Sequence, residues 1–217
     1  TTTSSAPTVQ PESAPMIMEL GSGATKLGFL NDEIPSIVQP NIVGRLKHIP
    51  MMLGMGGRDT YVGQEVIERA PLLNPVFPIV RGRVENWDHV TRICHYSFYY
   101  KICAAPEEHP LMLVAPSQSS KANYERFGQS LFEEFCIPAV SFCRKGENSL
   151  FSSPSGTGVA LQSGFGITQA IPLYCGKVIQ HATKTIEVGG SDVTEKLSEM
   201  MRARGIEIKT MGQKYTV

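Results

Sequence analysis

Residues 18–26, MELGSGATK, and residues 161–169, LQSGFGITQ, follow one pattern, and this repeat is the main clue to the fold. Each has an apolar residue, an acid or amide, one further residue, Gly-x-Gly, another residue, a threonine and a long polar side chain. Such a pattern predicts a strand that runs into a glycine turn and returns as a second strand. The two predicted hairpins start 143 residues apart, which indicates a duplicated unit whose turns point into a shared cleft.

Glycine turns of this kind favour a phosphate ligand, because backbone N–H groups can converge on an anion where no Cβ blocks its approach. Neither turn completes the GxGxxG or GxxxxGK[ST] motif, so one such turn alone would be an ordinary hairpin. The pair, with a lysine beside the first turn, favours phosphate binding. The candidate phosphate-binding residues are Gly21, Ser22, Gly23, Lys26, Ser163, Gly164 and Gly166.

The composition excludes several classes of partner and site. Lysine plus arginine equals aspartate plus glutamate at 20 each, so no overall field attracts nucleic acid or an anionic membrane, and neither is expected as a direct partner. The sequence has no apolar run of the roughly 18 residues that a membrane helix needs. Five cysteines without a CxxC pair predict reduced thiols in a cytoplasmic or nuclear protein.

Strand and helix patterns alternate along the chain, which favours an α/β fold. Residues 1–15 are rich in threonine, serine and proline, and are expected to form a disordered leader. The last of three predicted helices is expected to turn Val193, Leu197 and Met200 inward. Capping residues place the starts of the three helices at Asn86 or Asp88, at Ser119 or Ser120, and at Ser191 or Asp192.

Eight short runs resemble actin and the actin-related proteins, in the same order and without large gaps. The resemblance covers about residues 16–217, and it is specific because NWD and APEEHP recur at actin's own spacing. The eight runs are residues 20–23, 26–29, 42–45, 54–56, 61–63, 86–88, 105–110 and 121–123.

The resemblance implies an α/β actin-type ATPase fold, shared with a superfamily of chaperones and sugar kinases, in which two lobes enclose a nucleotide cleft. The chain would hold the first lobe and the start of the second, as a partial sequence. By similarity, residues 16–41 and 78–152 form subdomain 1, 42–77 subdomain 2, 153–188 the start of subdomain 3, and 189–217 the start of subdomain 4.

The resemblance also shows which residues stand at the family's metal and hydrolysis positions. Glu19 and Gln162 replace the metal-site aspartates of the first and second loops, and Phe165 replaces a further aspartate. Lys145 replaces the glutamine that positions water and Gln169 the histidine, so no catalytic residue is intact. Arg81 also stands where actin has a histidine close to the cleft. Together with Lys145 and Phe165, it indicates that the chemistry of the cleft has changed.

These replacements bring the charge around the cation from two negative charges to a net charge of zero. Mg²⁺ is therefore expected to bind poorly, and ATP hydrolysis is expected to be slow or absent. ATP remains a candidate ligand. Two interpretations of Lys145 stay open: its ammonium substitutes for the metal at the phosphates, or it is solvated beside an empty or structural cleft.

The leading interpretation is a divergent actin-like cytoskeletal protein that serves as a structural or assembly subunit. The alternative is an active, ATP-binding, filament-forming ATPase. Expected partners are actin or actin-like subunits, together with actin-binding or complex-scaffold proteins, in the cytoplasm and its cytoskeleton, with the nucleus also open. The residues alone leave two interpretations open for the apolar loop, one in which it packs inward and one in which it inserts into a partner. By similarity, subunit contact is assigned to its tip, Met51, Met52 and Leu53.

Overall fold

The computed structural model describes residues 14–47, 59–116, 118–146, 148 and 156–206. The predicted contact residues Met51, Met52 and Leu53 lie outside these ranges, as does the predicted leader up to residue 13. Ala14 and Pro15, the last residues of that leader, pack on the fold: Ala14 is buried, and the Pro15 carbonyl accepts a hydrogen bond from the Leu30 N–H at 2.8 Å.

Fourteen strands and four α-helices lie wholly within the described residues. The strands are β1 (Met16–Leu20), β2 (Ala24–Phe29), β3 (Ile37–Pro40), β4 (Val43–Leu46), β5 (Thr60–Val62), β6 (Leu73–Val76), β7 (Ile79–Val80), β8 (Arg83–Val84), β9 (Leu111–Val114), β10 (Val140–Cys143), β11 (Gly158–Ser163), β12 (Thr168–Tyr174), β13 (Lys177–Val178) and β14 (Lys184–Ile186). The helices are α1 (Gln64–Glu68), α2 (Trp87–His95), α3 (Lys121–Glu133) and α4 (Gly190–Ala203).

The first sheet has the strand order β10-β9-β1-β2-β3. Strands β1, β9 and β10 are parallel, whereas β2 and β3 are added antiparallel. Alternate residues of β1 are fully buried because successive side chains point to opposite faces of a strand. Helices α2 and α3 contribute to the same core. Its members include Met16, Met18, Leu20, Val90, Leu111, Leu113, Phe127 and Leu131.

The local signals at the starts of α2 and α3 predicted those helices correctly. The Asn86 side chain accepts a hydrogen bond from the His89 N–H at 3.0 Å, and the Ser120 hydroxyl accepts one from the Asn123 N–H at 3.3 Å. Such caps satisfy backbone donors that have no partner within the helix. Helix α2 then continues without a break as a π-helix, Tyr96–Ile102, which the sequence did not indicate.

The second sheet reproduces the first hairpin. Strand β12 pairs antiparallel with β11 and with β14, as β2 pairs with β1 and β3, and β13 pairs with the far end of β12. In the first hairpin Glu19 lies opposite Lys26, and in the second Gln162 lies opposite Gln169. The predicted repeat is therefore confirmed down to its register.

A separate three-stranded sheet, β5-β4-β6, lies within residues 43–76. Helix α1 packs on it through Val66, which joins Ile42 and Leu73 in a small cluster. Strands β7 and β8 form a two-stranded hairpin that leads from this sheet back into α2. Among the described residues, each helix falls short of the length and apolar character that crossing a membrane requires.

Helix α4 differs from its prediction in two ways. It starts at Gly190, one residue before the earliest predicted start, with Gly189 as the N-cap residue, whose N–H donates to Asp192 Oδ2 at 2.8 Å. The inward-facing stripe is wrong: Val193, Leu197 and Met200 are 64, 39 and 53% exposed. Periodicity placed these residues on one face, but in the described part of the chain that face has no covering element.

Candidate functional site

The two hairpin turns face each other across a cleft of about 610 Å³. The first sheet supplies residues at the carboxyl ends of its parallel strands: Glu19 from β1, Val114 from β9, and Lys145 two residues after β10. Side chains from separate strands converge here because parallel strands end at one edge of a sheet. The second sheet supplies residues 161–167 and Gln169.

The turns have matching backbone geometry. The Gly21 N–H donates to the Ala24 carbonyl at 3.0 Å, and the Gly164 N–H donates to the Ile167 carbonyl at 2.9 Å. These residues occupy equivalent places in the two motifs, so the same hydrogen bond closes both turns.

Donors from elsewhere in the fold engage the carbonyl groups of both turns. Asn41 is fully buried; its amide donates to the Gly21 carbonyl at 2.5 Å, and its backbone N–H donates to the Gly23 carbonyl at 2.9 Å. In the second turn, the first N–H groups of α4 perform this role: Gly190 donates to the Gly164 carbonyl at 2.9 Å and Ser191 to the Phe165 carbonyl at 2.8 Å. Sequence reasoning missed Asn41, because its partners lie about twenty residues away in the chain.

The tips of the turns also pack against each other. A Cβ on Gly23 would lie 2.6 Å from the Phe165 ring, and one on Gly166 would lie 3.0 Å from the Arg81 Cα. The Phe165 ring lies 6.0 Å from the Phe77 ring, centroid to centroid. Packing of the two turns therefore requires a glycine at position 23. From the sequence alone, phosphate binding was the only reason that we gave for this glycine.

Glu19 is bound by two lysines. Its Oε1 lies 2.8 Å from Lys145 Nζ and its Oε2 lies 3.1 Å from Lys26 Nζ. Burial raises the pKa of Glu19, but the two ammonium groups, Lys145 above all, outweigh this effect and leave the pKa below its ordinary value. The carboxylate is thus held ionised, with each of its oxygens on an ammonium group.

Lys145 is fixed from both sides of the cleft. Its side chain is 22% exposed and reaches Glu19 of the first hairpin, whereas its carbonyl accepts a hydrogen bond from the Gln162 amide of the second hairpin at 2.8 Å. Its Nζ lies 3.6 Å from the position that a Cβ on Gly21 would take. The ammonium group therefore stands at the mouth of the first glycine turn.

This donor set does not fit the Mg²⁺ ion that the family resemblance implies. Magnesium is usually held by one or two carboxylates together with substrate phosphates. Glu19 is the sole acid among the described residues that line the cleft, and ammonium groups occupy both of its oxygens. The described residues also contain no cluster of three His, Cys, Asp or Glu side chains suited to a metal.

Gln169 occupies a structural position at the cleft edge. It is 7% exposed, and its amide donates to the Thr185 hydroxyl at 3.0 Å, across the β12–β14 pair. The nearby Ser163 and Thr168 hydroxyls lie 3.1 Å apart, and Thr168 donates to the Val188 carbonyl at 2.8 Å. An amide in such a bond offers no titratable proton for general acid–base catalysis.

Arg81 connects the two lobes behind the turns, a role that the sequence did not reveal. It has a left-handed backbone with φ of 48°, and its guanidinium donates to the Glu187 carbonyl, to the Gly166 carbonyl at 3.4 Å and to Asp192 Oδ1 at 2.9 Å. The next residue, Gly82, donates its N–H to the Ser22 hydroxyl at 2.9 Å. One short turn thus contacts both glycine turns and the start of α4.

Asp192 joins this cluster by capping α4. Its Oδ2 accepts a hydrogen bond from the Gly189 N–H at 2.8 Å. That bond is the main reason that the pKa of Asp192 lies below its ordinary value, and Arg81 lowers it further. Sequence analysis named Arg81 as a changed cleft residue, but its partners are 85 to 111 positions away, so no local signal identified them.

The structure brings most of the predicted site residues together. Gly23 differs from the other turn residues because it packs under Phe165 instead of lining the cleft. The predicted residues that do line it are Glu19, Gly21, Ser22, Lys26, Lys145, Gln162, Ser163, Gly164, Phe165, Gly166 and Gln169.

Comparison with known proteins agrees with this geometry. Residues 10–215 match the family model described as Actin. An actin-like protein of Neurospora crassa is 34% identical over 205 residues, which cover 94% of this chain and 54% of the relative. Centractin of Schizosaccharomyces pombe is 34% identical over 207 residues, 95% of this chain and 55% of the relative. The chain therefore spans about half the length of these curated relatives.

Proposed function

This chain belongs to the actin family, and from that premise we propose that it is a divergent cytoskeletal subunit with a structural or assembly role and little or no ATP hydrolysis. Its fold is the actin-type ATPase fold in partial form, with the first lobe and the start of the second, as predicted.

The observation that carries the proposal is the 2.8 Å pair between Lys145 and Glu19. Phosphoryl transfer depends on electrostatic stabilisation by a cation and on groups that position the attacking water. Here a fixed ammonium group holds the one acid that lines the described cleft, and Gln169 is bonded to Thr185. Each missing positioning or acid–base group commonly lowers a rate by about a hundredfold or more.

A structural role is supported by what the chain retains. The paired turns, the register of both hairpins and the links made by Asn41 and Arg81 preserve the architecture of the cleft without the family's metal ligands. The relatives named actin-like protein and centractin support actin-related assemblies. We propose actin-like subunits and actin-binding or complex-scaffold proteins as partners, in the cytoplasmic cytoskeleton, with Met51, Met52 and Leu53 contributing to subunit contact.

A phosphate-release assay on the full-length protein tests this proposal. With saturating ATP and Mg²⁺, release should stay at the level of a protein-free control. A matched variant restores the family residues at three positions: Lys145→Gln, Gln162→Asp and Gln169→His. If the unmodified protein releases phosphate steadily, the proposal is wrong and the alternative, a filament-forming ATPase, takes its place.

A further inference from the structure

An ammonium group stands where the family's cation chemistry would be expected. Lys145 Nζ is 2.8 Å from Glu19, and it lies 3.6 Å from the Cβ position of Gly21 at the first turn. The Gln162 amide holds the Lys145 backbone from the opposite hairpin. A positive charge is therefore built into the cleft by side chains of both lobes, without a metal.

The charge balance of the cleft favours an anion. The charged residues that line it in the described part of the chain are Lys26, Lys145 and Glu19, which gives a net charge of +1. The carbonyl groups of both turns, which would repel an anion, already accept hydrogen bonds from Asn41 and from α4. A cleft of about 610 Å³ has room for a chain of phosphates.

We infer that this cleft binds a polyphosphate, such as that of a nucleoside triphosphate, without a divalent cation, and that the ammonium groups of Lys145 and Lys26 are its counter-charges. The inference rests on the proposed function and names the ligand class of the same site. Lysine binds phosphate as a point charge, and hydrogen bonds between ionised groups are among the stronger ones in proteins.

Glu19 acts as an internal competitor in this arrangement. Its two oxygens occupy the two ammonium groups when no anion is bound, as a pair of phosphate oxygens would do afterwards. Binding must therefore displace a carboxylate, which lowers the affinity but keeps both lysines oriented. Removing the carboxylate should strengthen polyphosphate binding, whereas a site built around a metal would be weakened by the same change.

Isothermal titration calorimetry on the full-length protein tests the metal dependence. The probes are ATP and inorganic tripolyphosphate, each in EDTA and in excess Mg²⁺. Binding should occur in EDTA, and Mg²⁺ should leave the affinity unchanged or lower it, because the ion neutralises the phosphates. Binding of both probes in EDTA supports the inference and assigns recognition to the phosphates. The inference is wrong if neither probe binds in EDTA, or if binding requires Mg²⁺. It is also wrong if ATP binds and tripolyphosphate does not, because the phosphates are then not sufficient for recognition.

Two substitutions with opposite expected effects test the residues. Lys145→Gln should weaken metal-free binding by about tenfold or more, the effect of losing one charge-assisted hydrogen bond. Glu19→Gln should strengthen it, a result that a misfolded variant cannot imitate. Lys145→Arg should retain most of the affinity. Unchanged affinity in Lys145→Gln, or weaker binding in Glu19→Gln, contradicts the inference.

The matched control is Lys121→Gln, which removes one positive charge from an exposed lysine at the start of α3 that does not line the cleft. Its affinity for both probes should equal that of the unmodified protein, and an equal loss in Lys121→Gln and Lys145→Gln would show a non-specific charge effect instead of a site.

The phosphate-release assay distinguishes failure of this inference from failure of the proposed function. Release without metal-free binding refutes both, whereas no release and no binding refutes only the inference.

Discussion

Two lysines share one carboxylate in the cleft, and this cluster determines which ligands the cleft favours. By the family resemblance Lys145 stands at the position of a neutral amide, and we propose that its ammonium group, 2.8 Å from the Glu19 carboxylate, prevents Glu19 from acting as a metal ligand. The sequence predicted the loss of charge around the cation. It could not predict that Glu19 is held by two lysines, since Lys145 is 126 positions away from it in the chain.

The pKa of Glu19 gives a prediction for stability. Because this pKa is lowered in the folded protein, the Glu19 contribution to stability is complete at pH values above about 4.3, the ordinary value for glutamate, and is lost as pH falls through the lowered value. The free energy of unfolding should therefore decrease less on acidification in Glu19→Gln than in the unmodified protein. Urea unfolding between pH 7 and pH 3 measures this, with Glu125→Gln as an exposed control. Parallel acid profiles for unmodified protein and Glu19→Gln would contradict the lowered pKa.

The turn between β12 and β13 offers a second prediction. Its residues Cys175 and Gly176 both have positive φ, 47° and 80°, as in the hairpin turns that favour Asn-Gly. Asparagine adopts this conformation more readily than cysteine, so Cys175→Asn should raise stability by roughly 0.5 kcal/mol or somewhat more, as other backbone-compatible changes do. Thermal unfolding measures the change. Cys175→Ala is the control. If it raises the stability as much as Cys175→Asn does, the gain comes from losing the thiol and not from the backbone preference of asparagine.

Between elements, the contact of the two hairpin tips depends on Gly23. Alanine at this position would place its Cβ 2.6 Å from the Phe165 ring. Gly23→Ala should therefore destabilise the protein by roughly 1–3 kcal/mol, the usual cost of overpacking. Combining it with Phe165→Ala should recover only part of that loss in a double-mutant cycle, because the Phe165 Cβ that remains lies 2.7 Å from the same position. Gly158→Ala, where a Cβ meets nothing within 4 Å, should have little effect, and additive losses at Gly23 and Phe165 would show that the two are not in contact.

The Arg81–Gly82 turn should hold α4 against the second hairpin. Arg81→Ala removes donors to the Gly166 and Glu187 carbonyls and to Asp192. Faster amide hydrogen exchange is expected at residues 189–192, measured by mass spectrometry on the full-length protein. Arg83→Ala is the matched control, because Arg83 is exposed and its ion pair with Glu187 spans 3.5 Å. Equal protection in Arg81→Ala and unmodified protein would rule out this role.

Elements whose signals are local were predicted well, and those that depend on tertiary contacts were not. The caps at Asn86 and Ser120 and the two hairpins follow from residues within a few positions of each other. The π-helix after α2 had no local signal, and its Ser97 hydroxyl accepts a hydrogen bond from the distant Gln39 amide at 2.7 Å. Periodicity correctly grouped Val193, Leu197 and Met200 on one helical face, but it carries no information about what covers that face.

For the whole molecule, the repeat explains why the cleft lies where it does. Equivalent strand pairs carry equivalent glycine turns, and the turns meet with Gly23 under Phe165 and Gly166 beside Arg81. The sequence was sufficient to predict the fold and most cleft residues, because motif spacing and family resemblance agreed. The role of Asn41 in holding the first turn, and the link that Arg81 and Asp192 make between the lobes, required the assembled structure.

The central claim is that the cleft is built around an ammonium group and does not hydrolyse ATP. Single-turnover phosphate release tests it most directly, with excess full-length protein, limiting labelled ATP and Mg²⁺, at concentrations where binding has been established. We expect the labelled ATP to remain intact over the time in which the same assay detects turnover by an active actin. Conversion of the bound ATP to ADP and phosphate on that timescale would contradict this claim.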